Sequence, residues 1–406
     1  MSAPADALAE LDLPHTIRAR CRNVLATSLV VGLNHFSVEL DKLPEVARRV
    51  AEATRRRYPA LGIPPHSRFG HFDAGGVARL AALETELADR DVMERARALI
   101  DVVVTSVLLD AGAGMAWRYR EAASGLSLAR SEGLAVASLA WAKSGGFSSR
   151  REPYHVDAEG LLAIDDDALE RAFQVDAANP LVGVAGRVHL LRALGTALRA
   201  RPDVFGPDAR LGALLDYLWA QSRDAQLPAQ GILLSLLSAL GSIWPGRLQV
   251  QGHTLGDVWQ HPAAGGEGVT AGLVPFHKLS QWLSYSLLYP LAQSGLTITD
   301  LDALTGLAEY RNGGLFVDAG VLVPKHGEVL KGGHEVSSQI IVEWRALTVA
   351  LLDELLPLVR TELNKPDLTL AALLEGGTWA TGRELAQALR GDGGSPIRLR
   401  SDGTVF

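Results

Sequence analysis

Cysteine is almost missing from this chain of 406 residues: Cys21 stands alone. That excludes an intramolecular disulfide and any zinc site built on several thiolates, and it fits a reducing cytoplasm, the expected location. An excess of positive charge is missing too. Lys and Arg number 39 against 46 Asp and Glu, a net charge of −7. The cationic footprint that nonspecific nucleic-acid binding needs is therefore lacking, and no nucleic-acid partner is expected. Long apolar runs are also absent. Residues 99–109, interrupted by Asp101 and Thr105, and residues 231–244 are the longest. Both are too short to cross a bilayer, so they read as buried helices and no membrane partner is expected. The first fourteen residues are Ala-rich and acidic, without a cationic start followed by an apolar run, so no secretory signal is expected. Several catalytic signatures are lacking as well: there is no His-Glu-x-x-His, no phosphate loop ending in Gly-Lys-Ser/Thr and no Gly-x-Ser-x-Gly elbow. His66, His71 and Asp73 have no specific metal-ligand spacing, so neither a metal nor a cofactor is expected.

What is present is core-forming material with a helical period. Aliphatic and aromatic residues make up 48% of the chain, enough for a sizeable core. In residues 43–58, Pro44 suits a first helical turn and Val46, Val50 and Ala53 run down one face. Further helices are predicted over 76–109 (one or two), 186–200, 211–221, 231–243, 276–294 and 381–389. A short one is predicted over 301–308, with Thr299 and Asp302 as a capping pair. The longest candidate is 336–363, where Ile340, Ile341, Trp344, Leu347, Leu351, Leu355 and Leu358 recur at spacings of three and four. Strand signals are few, at 314–323 and 397–405. Residues 144–167 and 253–275 read as loops, and neither resembles a disordered linker. The expected fold is mainly α: a compact multi-helix enzyme fold around a central cleft, with few short strands. A single domain over 1–406 with two helical lobes is expected.

Glycines cluster beside charged residues in this helical chain, at Asp73–Gly76, Asp110–Gly114, Glu309–Gly314, Asp318–Gly320, Glu375–Gly377 and Ser401–Gly403. Such pairs serve caps and tight turns, and loops at helix ends commonly supply sites. Several of these clusters, with other segments, form a recognisable set. It comprises Pro64-Pro-His-Ser-Arg-Phe-Gly-His-Phe72, Asp110-Ala-Gly-Ala-Gly-Met-Ala-Trp-Arg-Tyr-Arg-Glu121, Arg130-Ser-Glu-Gly-Leu134, Phe276-His-Lys-Leu-Ser-Gln-Trp282, Glu309-Tyr-Arg-Asn-Gly-Gly314, Ile341-Val-Glu-Trp-Arg-Ala-Leu347, Glu375-Gly-Gly-Thr-Trp379 and the terminal Ser401-Asp-Gly-Thr-Val-Phe406. Together they resemble the fungal and bacterial uracil-catabolism family of the "uracil catabolism protein 4" type, across nearly the whole chain. One departure is Phe69-Gly70, where many members carry Trp-Arg, so a contact at position 70 is not carried over.

The resemblance implies a pathway in which uracil is broken down through a ribosylated intermediate with release of urea, and hence a step that frees a ureido nitrogen from ribose. The substrate expected is a small nucleoside- or nucleotide-derived molecule, a ribosylurea or its 5′-phosphate. A second resemblance is local. Glu309-Tyr-Arg311 followed by Gly320-Val-Leu322 is similar to the Asp-Tyr-Arg segment of the queuosine-salvage nucleoside-phosphate N-glycosidases, and Asn34-His-Phe36 to their Asn-Phe segment. Those proteins are similar in fold to helix–hairpin–helix glycosylases, which implies such a fold here.

Cleaving an N-glycosidic bond builds positive charge on the sugar, so a carboxylate near the anomeric carbon is the minimum requirement. Glu309, read as the end of a short helix before a Gly-rich turn, is the first candidate, with Asp318 nine residues on and Asp110 at the end of an apolar run as helpers. Glu132 is a further acid, and Arg118 and Arg130 are expected partners for Asp110. Phosphate recognition calls for Arg, Lys or His, and the sets His66, Arg68, His71 and His277, Lys278 supply them, with Tyr310 and Arg311 beside Glu309. Trp117, Tyr119, Phe72 and Trp282 offer flat faces for a sugar, urea or pyrimidine. The rival readings are an amidohydrolase-like step on an opened pyrimidine ring and a protein that binds a pyrimidine intermediate without chemistry.

Overall fold

The computed structural model describes residues 4–244 and 248–400. The principal helices are α1 (Pro14–Val30), α2 (Leu43–Arg57), α3 (Val92–Leu108), α4 (Arg130–Lys143), α5 (Val184–Ala200), α6 (Ala229–Leu240), α7 (Lys278–Gln293), α8 (Tyr310–Asp318), α9 (Gln339–Leu363) and α10 (Trp379–Arg390). Strands are two or three residues long and occur only in pairs among the described residues. The fold is mainly α. The chain divides into two compact units: residues 4–66, 248–281 and 300–400 belong to one, residues 67–244 and 282–299 to the other.

In the first unit α9 is the organising element. Ser338 opens it by accepting the Ile341 N–H, and every residue from Ile341 to Leu352 is buried. A helix buried on all sides sits inside a layer of others, and α1 and α2 both pack on it. The Arg-rich end of α2 faces outward, but two of its arginines pair: Arg56 with Glu384 and Arg57 with Glu375. Small residues let α8 approach its neighbours. A side-chain carbon at Gly313 would lie 2.7 Å from the Trp344 ring, and one at Gly382 would lie 2.5 Å from the Arg311 carbonyl. Antiparallel strand pairs join Phe36–Val38 to Leu322–Pro324 and Val258–Gln260 to Leu273–Pro275.

In the second unit Asp91 caps α3 by accepting the Glu94 N–H, and α3 is buried continuously from Ala98 to Leu108. The helix predicted over 76–109 is two pieces, Arg79–Glu86 and α3. Helix α4 follows a hairpin of Arg118–Arg120 and Ser127–Ala129, and α5, α6 and the helix Leu214–Gln221 complete the unit.

Two expectations about local structure need correction. The helix predicted over 301–308 is only a 3-10 turn, Leu301–Ala303. Asp302 does not cap it, because its carboxylate accepts the Leu370 N–H at 2.8 Å and pairs with Arg360. The strand predicted over 314–323 is helical as far as Asp318, and only Leu322–Pro324 is extended. The strand predicted over 397–405 is seen as Arg398–Leu399, parallel to Gly333–His334, while the terminal motif Ser401–Phe406 lies outside the described residues.

Candidate active site

The second unit gathers a buried polar cluster at the end of α3. The apolar run of α3 ends at Leu108, and the Asp110 N–H turns back to the Val107 carbonyl at 3.0 Å. This turn presents a carboxylate that is 10% exposed. Arg68 comes from the non-helical approach to a short helical turn, Phe69–Phe72, which Pro64 and Pro65 keep irregular. Its guanidinium is fully buried and lies 3.0 Å from Asp110 Oδ1. The Ser131 hydroxyl, in the first turn of α4, donates to Asp110 Oδ2 at 2.7 Å.

The rest of the guanidinium is largely satisfied. Arg68 Nε donates to Ser106 Oγ at 2.8 Å, and Nη1 donates to the Ser131 hydroxyl (2.9 Å) and carbonyl (3.1 Å) and to His71 Nδ1 (3.2 Å). His71 Nδ1 faces both Arg68 Nη1 and, at 3.1 Å, the Ser131 hydroxyl oxygen. Arg68 Nη2 is buried and has no hydrogen-bond partner among the described residues. The guanidinium lies 5.6 Å from the Trp282 ring centre, and the His71 ring is 5.8 Å from the same ring. Burial lowers the Arg68 pKa from its ordinary value, and the Asp110 charge and hydrogen bond oppose that. This unit therefore holds together a carboxylate, an imidazole, a hydroxyl, an indole and a buried cation.

Two other anticipated residues of the second unit, Trp117 and Arg118, hold backbone carbonyls. Trp117 is wholly buried, and its indole N–H donates to the Phe173 carbonyl at 2.9 Å. Arg118 is exposed and holds the carbonyls of Met115 and Trp117, both at 2.8 Å, rather than pairing with Asp110. Arg130 opens α4 with a left-handed backbone, φ 53°, and its guanidinium lies 3.6 Å from Met115 Sδ. Glu132 sits half-buried in the first turn of α4.

The remaining candidates lie in the first unit. Glu309 is not the end of a helix but the cap that starts α8: its two carboxylate oxygens accept the N–H groups of Asn312 (2.5 Å) and Arg311 (2.7 Å). Asp318 ends the same helix, about 13 Å further along the axis, so the two acids do not share a site. It is 3% exposed and paired through both oxygens with Arg390 at 2.7 and 2.6 Å. Arg311 donates to the Gly393 carbonyl at 3.0 Å, with its guanidinium 4.9 Å from the Tyr310 ring centre and 5.8 Å from that of Trp379. His277 is buried with φ 45° and lies 3.3 Å from both the Leu11 carbonyl and Asp12 Oδ1. Lys278 is buried, and its backbone N–H donates to Asp257 at 2.9 Å.

His66 belongs to a polar knot of the first unit. Its Nδ1 donates to Glu375 Oε2 at 2.8 Å, within a knot where Arg57 and Tyr58 each reach Glu375 Oε1 at 2.9 Å. Glu375 lies in a π-helical turn, Leu374–Thr378, just before α10. Burial acts to raise its pKa, but the His66 hydrogen bond and charge, the Arg57 charge and the Tyr58 hydroxyl prevail and hold it at about 2. A second acid-centred group surrounds Glu343 on α9. Its Oε1 accepts the N–H groups of His35 (3.1 Å) and Phe36 (2.8 Å), Oε2 lies 3.5 Å from His261 Nε2, and His35 Nδ1 faces His326 Nε2 at 2.9 Å. Among the described residues, no group of three or more His, Cys, Asp or Glu is arranged to hold a metal ion. No described helix is long and apolar enough to cross a membrane.

Sequence reasoning passed over Ser131, Ser106, Glu375 and Glu343. The first, third and fourth stand inside motifs quoted above, Arg130–Leu134, Glu375–Trp379 and Ile341–Leu347, so a signal was there. Ser106 sits in an apolar run and has none.

With this geometry in hand, kinship can be assigned. Residues 10–406 match the family model described as "Protein of unknown function (DUF1688)". The chain belongs to this family. Two relatives align along most of their length. "Uracil catabolism protein 4" of Lachancea kluyveri is 42% identical over 92% of each chain, and "Protein urg3" of Schizosaccharomyces pombe is 40% identical over 96% of each.

Proposed function

We propose that this DUF1688 protein is a hydrolase of uracil catabolism that cleaves the N-glycosidic bond of a ribosylurea or its 5′-phosphate, releasing urea and ribose or ribose phosphate. The pathway is supported by the relative named uracil catabolism protein 4. The chemistry is supported by one observation above all: Asp110 is held by Arg68 and Ser131 beside His71, while Arg68 keeps a buried N–H without a partner among the described residues. A buried donor left open costs about 1–3 kcal/mol. A urea carbonyl oxygen is an acceptor of the right kind to fill it.

In this reading the C1′–N bond breaks with its electron pair leaving on nitrogen. Asp110 stabilises the oxocarbenium charge on the sugar, and water adds its hydroxyl to the anomeric carbon. A ring N–H of His71 protonates the departing urea nitrogen, and the proton of water replaces it. Arg68 binds the urea oxygen. Asp110 is chosen over Glu309 because Glu309 uses both oxygens to cap α8.

The test is incubation of the purified protein with ribosylurea and with ribosylurea 5′-phosphate, following urea and reducing sugar. Asp110→Asn should lower kcat at least about 100-fold, the scale of losing one preorganised electrostatic group. No urea from either compound, or turnover undiminished in the variant, would reject the assignment. Ammonia in place of urea would indicate an amidohydrolase.

A further inference from the structure

The turn that carries Asp110 has no strand or helix of its own to hold it. It follows the last turn of α3, where backbone carbonyls lack helical partners and carry partial negative charge. Arg187, from the first turn of α5, fills that role. It is 0% exposed. Its Nε donates to the Leu109 carbonyl at 3.0 Å, and Nη2 donates to the carbonyls of Ala111 at 2.6 Å and Gly112 at 3.4 Å. Nη1 donates to the Val182 carbonyl at the start of its own helix. One guanidinium thus grips the backbone on both sides of residue 110. The grip is reinforced where the Val182 N–H donates to the Ala113 carbonyl at 3.2 Å, and where Gly114, at φ 82°, leaves no room for a side-chain carbon against Val182.

We infer that Arg187 is a positioning residue: by tying the carbonyls of Leu109, Ala111 and Gly112 to α5, it fixes the Asp110 carboxylate in line with Arg68 and Ser131. This rests on the role given to Asp110 above. Lysine cannot replace it, because an ammonium cannot span carbonyls on either side of a residue as a planar fork does. The Arg187 cation itself survives burial: burial lowers its pKa to about 10 against the opposing effect of Asp110, so it remains charged at neutral pH.

The test uses the full chain with Arg187→Met and Arg187→Lys, and two readouts. Amide hydrogen exchange over residues 109–114 needs no substrate; it should rise at least about 10-fold in both variants while exchange in α3 and α5 stays slow. Urea release from ribosylurea 5′-phosphate should show kcat lower by up to about 100-fold with KM within about two-fold, the signature of a misplaced reacting group. Unchanged exchange in Arg187→Lys overturns the inference, as does wild-type kcat in Arg187→Lys when Asp110→Asn is inactive. If Arg187→Met fails to fold, Arg187→Lys decides alone. If the turn loosens but Asp110→Asn retains full turnover, the clamp stands and the role of Asp110 falls.

Discussion

The knot around Glu375 allows a quantitative test of what holds the first unit together. The perturbation is Glu375→Gln, which keeps the shape of the side chain and removes its charge. The carboxylate is 13% exposed and bonded to His66, Arg57 and Tyr58, and its pKa falls from 4.5 to about 2. At 1.36 kcal/mol per unit, that difference is worth about 3 kcal/mol of stability at neutral pH. The sign follows from the depressed value: the contribution is fully present above pH 4.5, where the carboxyl of the unfolded chain is ionised, and disappears as pH falls toward 2. About half is gone at pH 3. Glutamine has no such dependence. Urea-unfolding midpoints of the two proteins, followed by tryptophan fluorescence between pH 7 and pH 3, give the difference directly and cancel the other carboxylates. The variant should be about 3 kcal/mol less stable at pH 7, with the gap narrowing as the solution is acidified. A gap below about 0.5 kcal/mol, the range of an ordinary surface change, or one that stays constant down to pH 3, would refute the reasoning.

Two further substitutions probe the scaffold, beside those already given for Asp110 and Arg187. Gly377→Ala places a carbon 2.5 Å from the Val50 carbonyl and 2.6 Å from Thr54 Oγ1; α2 must yield, and a loss of about 1–3 kcal/mol should appear as a lower melting temperature. Asp318→Asn breaks the two-pronged bond to Arg390; stability should fall by about 1–3 kcal/mol by chemical denaturation, and an unchanged midpoint would show that the pair contributes nothing.

The helices legible in the chain carried either a contrast between their faces or a long apolar run, as in α3. In α2, Val46, Val50 and Ala53 are buried and the arginines lie outside, and for α9 the period set the end at 363 correctly. Helix α4 escaped because it is buried from Gly133 to Leu139 and again at Trp141 and Ala142, so its sequence carries little amphipathic signal. The segment after Ala308 was misread for a different reason. In the sequence Glu309 reads as the end of one helix, whereas its side chain starts the next. An acid before a Gly-rich stretch is compatible with either, and the choice is made by which backbone amides are left without partners.

Composition and motif order were sufficient to place this protein. The helical period determined a mainly α chain and the spaced motifs its family, because both properties are local and add along the sequence. The grouping of site residues was decided only in three dimensions. His66 and Arg68 are two positions apart, yet one binds Glu375 and the other Asp110. Arg68, Asp110 and Ser131 are far apart in the chain, yet they share one hydrogen-bonded cluster. A hydrogen bond depends on distance and direction in space, and only the packing of α3, α4 and the turn at residue 68 sets those.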